Sequence, residues 1–373
     1  MDLNIYLIKM SEIKSSTINN NSKDRDNENY RNSNSKQKSK NSNDSFHPWI
    51  KTDSKCFSTD GMLKLHYEIL DFCEFIKLND EEKELRKKTF SYIKNIIESK
   101  FPDYKCKLYG SFKSELSLPD SDIDVLILSE EASKDQISKN KIMDDALKKV
   151  HDLLFSTKSF SYLEIIKAKV PIIKCTYKET NIDVDICLFR KNGIYTLKTL
   201  EKISKSFPEI KSLIMVVKYT LRQRQLNQIY KGGISSFIIF SLVYYYIADV
   251  RKKMIFNNKN NIKNNELTLG HLLVGFFDFY GFQFNYEKLG ISIRNGGFLF
   301  ERTDDGKNLL CIENPQDISQ DMGKSCFRFR KVVETFKFAR DSLYYPEKSP
   351  VVSYLSGFIF PDDLLKMRAF NNK

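Results

Sequence analysis

The sequence has few of the residues that build metal–sulfur centres or disulfide frameworks. Its seven cysteines are dispersed among 373 residues without a Cys-x-x-Cys pair, and its four histidines lie far from any zinc-ligand spacing. This distribution argues against a zinc site and against a disulfide scaffold. It fits a reducing compartment.

The chain also lacks an apolar run with the character of a membrane span. Its longest apolar stretch, residues 234–250, contains three consecutive tyrosines and several serines, which is typical of a buried helix. Residues 1–10 are short and mildly apolar but do not have the layout of a signal peptide. No membrane association is expected.

Charge is the main compositional signal. The net charge is +12, and residues 1–46 carry eight basic and six acidic side chains, which leaves +10 on residues 47–373. A basic folded body suits a polyanionic partner such as a nucleic acid. A basic protein that is merely soluble would have the same balance.

Composition divides the chain into a tail and a folded part. Residues 11–46 are rich in Asn, Ser and Lys and almost free of apolar side chains, so residues 1–46 are expected to be a disordered tail. The folded part is expected to consist of N-terminal helices (47–89), a sheet domain (90–200), a helical domain (201–345) and a C-terminal tail (346–373). The first of the two N-terminal helices is expected to pack on the helical domain.

Residue periodicity predicts the secondary structure. Asn79 is the expected N-cap of the second helix, whose apolar face would carry Leu85, Thr89, Tyr92 and Ile96. The other helices are predicted over residues 62–77, 141–154, 210–225, 235–250, 269–280 and 326–345. Strands are predicted over residues 106–109, 122–128, 162–166, 172–177 and 182–188, with short strands within 281–300.

An Asp-x-Asp pattern enters one of these strands. Side chains alternate between the two faces of a strand, so Asp122 and Asp124 share one face and the intervening apolar residues share the other. Two carboxylates in this arrangement suit a Mg²⁺ pair. A Gly110-Ser111 turn lies just upstream and is of a type that presents backbone N–H and hydroxyl groups to a phosphate. Together these features predict nucleotidyl transfer.

A second acidic pair, Asp183 and Asp185, offers a third carboxylate. A lone Asp-x-Asp is weak, since strand positions that face solvent often hold Asp. Two such pairs on strands of one small sheet would repel each other. A bound divalent metal would relieve that repulsion.

Six motifs follow one another along the chain. They are Tyr109-Gly-Ser-Phe112, Leu118-Pro-Asp-Ser-Asp-Ile-Asp124, Val170-Pro-Ile-Ile-Lys174, Asp183-Val-Asp-Ile186, Gly232-Gly-Ile-Ser-Ser236 and Cys311-Ile-Glu313. Together they resemble the polymerase-beta-type nucleotidyltransferases and, within them, the noncanonical poly(A) polymerases that form the catalytic subunit of the nuclear TRAMP polyadenylation complex. The resemblance runs from about His47 to Tyr345.

The resemblance implies an α+β fold, with a nucleotidyltransferase sheet domain, a mostly helical central domain and the active site in the cleft between them. It implies that Asp122, Asp124 and Asp185 are catalytic and hold two Mg²⁺ or Mn²⁺ ions, with Asp183 as the alternative third ligand. Gly110 and Ser111 match the phosphate-binding turn.

The resemblance also implies nucleotide-binding residues in the helical domain. Lys218 and Arg222 share one helix face and match residues that grip the triphosphate, although a solvated basic face has the same spacing. Ser236-Phe237 matches a step whose aromatic ring stacks on the incoming base. A core aromatic residue would give the same pattern as Phe237.

The stretch Glu313–Lys324 resembles the nucleotide-recognition loop of the family, with Asn314, Asp317 and Gln320 as the candidate base-reading residues. It departs from the usual pattern at Asn314 and Lys324. Relatives that add uridylate commonly carry His near the position of Gln320, and this chain has no His after residue 271. The resemblance therefore favours the addition of adenylate.

The expected function is template-independent addition of AMP from ATP to RNA 3′ ends, which would mark nuclear RNAs for the exosome. The resemblance implies a nuclear, possibly nucleolar, protein with a zinc-knuckle RNA-binding partner and an RNA helicase. Only 28 residues follow Tyr345, too few for an RNA-recognition domain. The alternatives are a terminal uridylyltransferase, an inactive RNA-binding scaffold and a nucleotidyltransferase for small molecules, which would have no need of the +10 charge.

Overall fold

The computed structural model describes residues 47–51, 60–128, 136–167, 171–188, 203, 205–258, 267–304, 309–344, 353–360 and 363. The tail expected over residues 1–46 lies outside these residues, as do Val170 and most of the expected tail over 346–373.

Helices account for most of the described chain, and each helix predicted from periodicity is present. No helix in the described ranges combines the length and the apolar character that a bilayer crossing demands. A π-helical turn, Phe279–Gln283, continues the seventh helix. The helices are α1 (Gly61–Ile76), α2 (Asp80–Lys100), α3 (Gly110–Lys113), α4 (Gln136–Ser156), α5 (Glu209–Arg222), α6 (Ser236–Asn258), α7 (Leu269–Asp278) and α8 (Phe329–Tyr344).

The strands form one mixed sheet and two small hairpins. They are β1 (Lys105–Tyr109), β2 (Ile123–Leu128), β3 (Phe160–Ile166), β4 (Ile172–Tyr177), β5 (Ile182–Leu188), β6 (Leu289–Ser292), β7 (Phe298–Glu301), β8 (Glu313–Asn314) and β9 (Asp317–Asp321). The sheet has the order β1-β2-β5-β4-β3, in which only β2 and β5 are parallel. The hairpins pair β6 with β7 and β8 with β9. Together with the helices, this confirms the predicted α+β class.

The mixed sheet buries one face and leaves the other open. Val125, Ile173 and Ile186 are fully buried in a core that α2 and α4 complete. Because side chains alternate along each strand, the residues between these positions face the other way. That open face carries the acidic residues singled out by the sequence.

Helix α2 begins as predicted, and its buried face partly matches the predicted one. Asn79 accepts the Glu82 N–H at 2.7 Å, and the Glu82 carboxylate accepts the Asn79 N–H at 2.8 Å, which is a capping box. Of the predicted residues, Thr89 is fully buried, and Tyr92 and Ile96 are half-buried against the sheet core. Two charged side chains, Glu82 and Arg86, are buried as well, because they find partners inside the protein. The buried residues are Glu82, Arg86, Thr89, Ile93 and Ile97.

The boundary expected at residue 89/90 falls inside α2. Ile93 and Ile97 belong to the core of the sheet domain, and Arg86 also contacts that domain. The whole of α2 therefore packs with the sheet.

Helix α1 packs in the other core. Its residues Leu65, Ile69 and Phe72 are buried in one cluster with α5, α6 and α7. Leu116 and Leu118, from the loop before β2, belong to the same cluster. The sheet domain therefore inserts a loop into the core of the helical domain.

Part of the expected C-terminal tail is also packed there. Leu355, Phe358 and Ile359 are buried in the helical core, and the ring of Phe358 contacts that of Phe277 edge-on. Residues 353–360 therefore complete the helical domain, because their apolar side chains cover a core that the helices leave open.

A buried carboxylate, Glu68 in α1, fixes both ends of the described chain to this core. It accepts hydrogen bonds from Trp49 Nε1 at 3.0 Å, from the N–H groups of Tyr354 at 2.8 Å and Leu355 at 3.2 Å, and from the Ser353 hydroxyl. Burial raises the pKa of Glu68, while these hydrogen bonds act to lower it. Four donors from two remote segments thus converge on one side chain.

Replacing Glu68 with Gln is expected to lower the free energy of unfolding by about 1.5–3 kcal/mol. The amide turns one acceptor oxygen into a donor, which must face a buried N–H or O–H group. Thermal unfolding measures the effect. Glu74→Gln on the same helix is the control, because Glu74 is half-exposed and pairs with the exposed Lys77. Equal melting temperatures for the two variants would contradict the role of Glu68.

Candidate active site

Strand pairing brings two of the predicted carboxylates side by side. Asp124 in β2 lies opposite Asp185 in β5, because the two strands pair in parallel with these residues in register. Asp122, two residues before Asp124, is close enough for its charge to act on both. The three predicted metal ligands therefore form one acidic cluster on the open face of the sheet.

The cluster perturbs its own ionisation. Burial, followed by the charges of Asp122 and Asp185, raises the pKa of Asp124 to about 7. Burial and the charge of Asp122 raise the pKa of Asp185 to about 6. Like charges that have been removed from water disfavour the ionised form. The site therefore needs a cation at neutral pH.

The alternative third ligand, Asp183, lies two residues before Asp185 on the same face of β5, and its charge also acts on Asp185. It is exposed and accepts a hydrogen bond from Thr176 Oγ1 at 2.5 Å. Thr176 is its register partner in β4. The geometry therefore favours Asp185 over Asp183 as the third carboxylate.

Lys174 in β4 supplies one cation from within the chain. It is the register partner of Asp185, and its Nζ lies 3.5 Å from Asp185 Oδ1 and 3.8 Å from Asp122 Oδ2. Burial lowers the pKa of Lys174, but the charges of Asp185 and Asp122 raise it further, and the net shift is upward. Lys174 thus bridges two of the three carboxylates.

The same residues fit a divalent metal in chemistry. All donors are carboxylate oxygens, which Mg²⁺ and Mn²⁺ prefer. Asp185 Oδ1 is buried and makes no hydrogen bond with any described residue, since Lys174 Nζ is too distant for an ordinary one. As the side chains stand, no group of three His, Cys, Asp or Glu residues in the described ranges is arranged to hold a metal.

The Gly110-Ser111 turn contacts the cluster directly. Gly110 has φ +66°, and a Cβ atom there would lie 1.8 Å from Asp124 Oδ2, so only glycine fits. The Ser111 N–H donates to Asp124, and the Ser111 hydroxyl lies 3.0 Å from that of Ser117. In this arrangement the turn contacts the Asp124 carboxylate. The predicted contact of the turn with a phosphate stays a prediction.

Arg86 positions the segment that leads into the Asp-x-Asp pair. It is buried, and its Nη2 donates to the carbonyl oxygens of Pro119 at 2.7 Å and Ser121 at 3.2 Å. The Ser121 hydroxyl accepts the Leu118 N–H at 3.0 Å. These bonds fix the backbone immediately before Asp122.

Lys218 of α5 approaches the cluster from the helical domain. It is buried, and its Nζ donates to the Leu116 carbonyl at 2.8 Å. Burial lowers its pKa to about 8, while the charges of Asp122 and Asp124 act in the opposite direction. Lys218 and the carboxylates thus face one another between the two domains.

Arg222, one turn further along α5, pairs with Asp120. Its Nε lies 2.5 Å from Asp120 Oδ2, and Asp120 belongs to the loop that carries the Asp-x-Asp pair. Lys211 on the same helix pairs with Glu115 at 2.5 Å. The basic face of α5 is therefore engaged by residues 115–120 rather than solvated.

The three candidate base-reading residues meet in the β8–β9 hairpin. Asn314 and Asp317 are register partners. Gln320 Nε2 donates to Asp317 at 2.6 Å, and Asn314 Nδ2 lies 3.4 Å from Gln320 Oε1. Glu313 anchors the hairpin by accepting hydrogen bonds from Arg294 and from the Ser292 hydroxyl.

Ser236 and Phe237 begin α6. Phe237 is partly buried and packs against the helical core, which is also what a core aromatic residue would do. Among the described contacts, neither the acidic cluster nor the base-reading hairpin includes these two residues. Their predicted stacking role stays a prediction.

Comparisons with known proteins decide the family. A model of the central palm domain of mitochondrial-like poly(A) RNA polymerases matches residues 65–205, and a model of the Cid1 family of poly A polymerases matches residues 268–320. Poly(A) RNA polymerase CID14 of Cryptococcus neoformans is 31% identical over 301 residues, which cover 79% of this chain and 38% of that protein.

The chain belongs to the noncanonical poly(A) polymerases.

Solved structures share the fold. The polymerase core of TRAMP, an RNA surveillance complex, has a TM-score of 0.71 at 26% identity and covers 84% of this chain and 99% of its own. The Cid1 poly(U) polymerase has a TM-score of 0.65 at 23% identity, with 79% and 98% covered, which shows the fold alone. This polymerase-family chain spans 38–50% of the lengths of its first curated relatives.

Two residues of this family member were not predicted from its sequence to belong to the site. Lys174 ended one of the six motifs, but its place beside Asp185 depends on the strand order. For Arg86 the local pattern indicated only a helical residue, because arginine is normally expected on the surface and a buried arginine is unusual. Both became visible only through tertiary contacts.

In metal-free buffer, Asp124→Asn is expected to be more stable than the wild type at pH 8. The pKa of Asp124 is raised in the folded state, so its favourable contribution is present at low pH and is lost as pH rises from about 4 to about 7. Thermal unfolding across this range should show a difference that grows with pH. Asp183→Asn, on the exposed part of the same face, should show no such gain. A pH-independent difference for Asp124→Asn would contradict the assignment.

Lys174→Met is expected to lower the stability of the metal-free protein by up to about 1 kcal/mol and to strengthen Mn²⁺ binding. Without the Lys174 ammonium the carboxylates lose their internal counter-ion, which lowers stability. Mn²⁺ then binds more tightly, because it has no cation to displace. Melting curves with EDTA and with Mn²⁺ measure both effects. Lys88→Met removes an exposed pair with Glu179 and serves as the control. Equal Mn²⁺-induced shifts in Lys174→Met and the wild type would refute the counter-ion role.

Proposed function

We propose that the protein is a template-independent RNA 3′-adenylyltransferase that adds AMP from ATP to RNA 3′ ends. The observation that carries this proposal is the in-register pair Asp124 and Asp185, which faces the buried Lys218 from the other domain. Carboxylates opposite a cation suit a nucleoside triphosphate whose phosphates need both metal ions and positive side chains.

Asp122, Asp124 and Asp185 would hold Mg²⁺ or Mn²⁺. Bound there, the metal would supply neutralisation of phosphate charge and activation of the attacking 3′-hydroxyl. Gly110 leaves room for the Asp124 carboxylate, and Arg86 fixes the backbone before Asp122. The chain itself thus orients the ligands.

Lys218 and Arg222 would bind the triphosphate. Lys218 has a pKa of about 8, so it is mostly protonated at neutral pH and can pair with a phosphate. Arg222 is held by Asp120 and must exchange that partner for a phosphate oxygen. The planar guanidinium is suited to either partner.

Choice of base would depend on the β8–β9 hairpin. Stacking on Phe237 cannot select a base, because every base offers a π-face. The amide groups of Asn314 and Gln320 both donate and accept hydrogen bonds, and Gln320 stands where uridylate-adding relatives often have His. A preference for A, with some G incorporated, is therefore expected.

The relatives support a wider setting for this activity. One structural neighbour is the polymerase core of a complex for RNA surveillance. By this analogy, the protein would act in the nucleus, with a zinc-knuckle RNA-binding protein and a helicase, on RNAs destined for the exosome. Because the chain spans half or less of its first curated relatives, these partners belong to the proposal.

Of two alternative functions, the observations support one and argue against the other. A terminal uridylyltransferase is supported by the fold shared with the Cid1 poly(U) polymerase. A catalytically inactive RNA-binding scaffold is the other, and the presence of all three carboxylates argues against it.

Primer extension tests the proposal. An oligoribonucleotide is incubated with each ribonucleotide alone and with an equal mixture, with Mg²⁺, Mn²⁺ or EDTA. We expect extension only with metal and a tail that is mainly A. Asp122→Asn, Asp124→Asn and Asp185→Asn should abolish extension while the protein stays folded, whereas Asp183→Asn should remain active.

Each other outcome has a clear reading. A tail made mostly of U would replace the proposal with the uridylyltransferase. RNA binding without extension by any nucleotide would indicate the scaffold. Loss of activity in Asp183→Asn but not in Asp185→Asn would reverse the choice of the third ligand.

A further inference from the structure

Two aromatic side chains on one surface of the helical domain are unusually exposed. Tyr230 and Phe327 expose 77% and 72% of their surface. Ile229, beside Tyr230, is also exposed. Aromatic rings of this size are normally covered, and their exposure on one surface indicates a binding site.

One face of the Phe327 ring is covered by the protein, and the other face is free. A Cβ atom at Gly232 would lie 2.3 Å from its ring, so the ring rests directly on the glycine backbone. The adjacent Arg328 N–H donates to the Gly232 carbonyl at 2.9 Å, and Arg328 Nη1 donates to the Gln225 carbonyl at 3.2 Å. The ring is therefore fixed before anything binds.

Tyr230 is only two residues from Gly232 and shares this surface. Lys231 Nζ lies 5.6 Å from the centre of its ring. The loop that carries Tyr230 follows α5, whose last residue, Arg222, pairs with Asp120 beside the acidic cluster. Tyr230 therefore lies eight residues beyond the end of the helix that carries Lys218 and Arg222.

The charges around the two rings are uncompensated. Segments 226–233 and 324–331 carry Lys231, Lys324, Arg328, Arg330 and Lys331 and no acidic residue. Within the described residues, Lys231, Arg328, Arg330 and Lys331 form no ion pair. Positive charge that no carboxylate among the described residues neutralises, beside exposed rings, suits a single-stranded nucleic acid.

Another exposed aromatic residue shows that this combination is not general. Phe256 exposes 71% of its surface and also lies near cations, but these are engaged within the protein. Arg251 pairs with Glu209, Lys253 pairs with Asp249, and Lys252 donates to the Gly297 carbonyl. Two of these three described cations are therefore neutralised by carboxylates, whereas Lys231, Arg328, Arg330 and Lys331 form no ion pair within the described residues.

We infer that Tyr230 and Phe327, with Lys231, Arg328, Arg330 and Lys331, form a stacking platform for single-stranded RNA. The platform would bind nucleotides upstream of the 3′ end that enters the acidic cluster. The inference rests on the proposed function for the identity of the polymer. The platform would make affinity depend on the length of the RNA, and it is separate from the side chains proposed to bind ATP.

Fluorescence anisotropy tests the platform without catalysis, on the full chain in EDTA. The probes are labelled single-stranded RNAs of about 15 and about 4 nucleotides. Tyr230→Ala/Phe327→Ala is expected to weaken binding of the long RNA by about 10-fold or more. Binding of the short RNA and of ATP should change less than about 2-fold. The matched control is Phe155→Ala/Phe256→Ala, because Phe155 and Phe256 are as exposed as Phe327; it should bind both RNAs as the wild type does.

Charge is tested separately. Lys231→Ser and Lys331→Ser should each reduce the slope of log affinity against log salt by about 0.7 for the long RNA. If Tyr230→Ala/Phe327→Ala unfolds, Tyr230→Ala alone provides the test, since its ring is the more exposed. The inference would be overturned if Tyr230→Ala/Phe327→Ala left the affinity for long RNA unchanged, or weakened the binding of long and short RNA equally. It would also be overturned if this variant lost the binding of another protein while its RNA binding stayed intact.

Failure of the platform and failure of the proposed function are distinguishable. If the wild type extends a short primer with ATP but the platform variant binds long RNA normally, only the platform is wrong. If long RNA binding depends on the platform but no nucleotide is ever added, only the adenylyltransferase proposal fails.

Discussion

The parallel pairing of β2 with β5 is the constraint on which the site depends. It sets Asp124 beside Asp185, and neither can turn away, because the opposite face of the sheet is closed by a packed core. Two carboxylates in fixed proximity repel unless a cation joins them. Lys174, Lys218 and the proposed metal ions are different responses to this one electrostatic demand.

The loop at residues 115–121 transmits that constraint to the second domain. Leu116 and Leu118 are buried in the helical core, while Glu115 and Asp120 make ion pairs with α5. Exposed ion pairs contribute little to stability, whereas buried leucines contribute about 1.5–3 kcal/mol each. The apolar anchor therefore holds the domains together, and the pair between Asp120 and Arg222 can exchange partners at small cost.

Local patterns were sufficient to predict most elements of the fold and the acidic pairs, because strand alternation and helix periodicity are properties of short segments. Contacts between segments were not predictable in this way. Lys174 meets Asp185 because β4 and β5 are neighbours in the sheet, and no local pattern gives that order. Likewise, Glu68 is an ordinary helical residue until Trp49 and residues 353–355 converge on it. The same limit explains why the burial of Glu82 and Arg86 in α2 was not predicted.

An acidic site that acts on RNA has to attract the polyanion that its carboxylates repel. The positive charge of the folded part meets this need only where it is not already neutralised within the protein. Near Phe256 two of the described cations, Arg251 and Lys253, pair with carboxylates, and they add little to the field that RNA meets. Lys231 and the cations at the start of α8 form no ion pair within the described residues, and they lie next to rings that can stack on bases. Long-range attraction and short-range stacking would thus coincide on one surface. If Lys218 and Arg222 bind ATP as proposed, RNA length and nucleotide choice would depend on different parts of the chain.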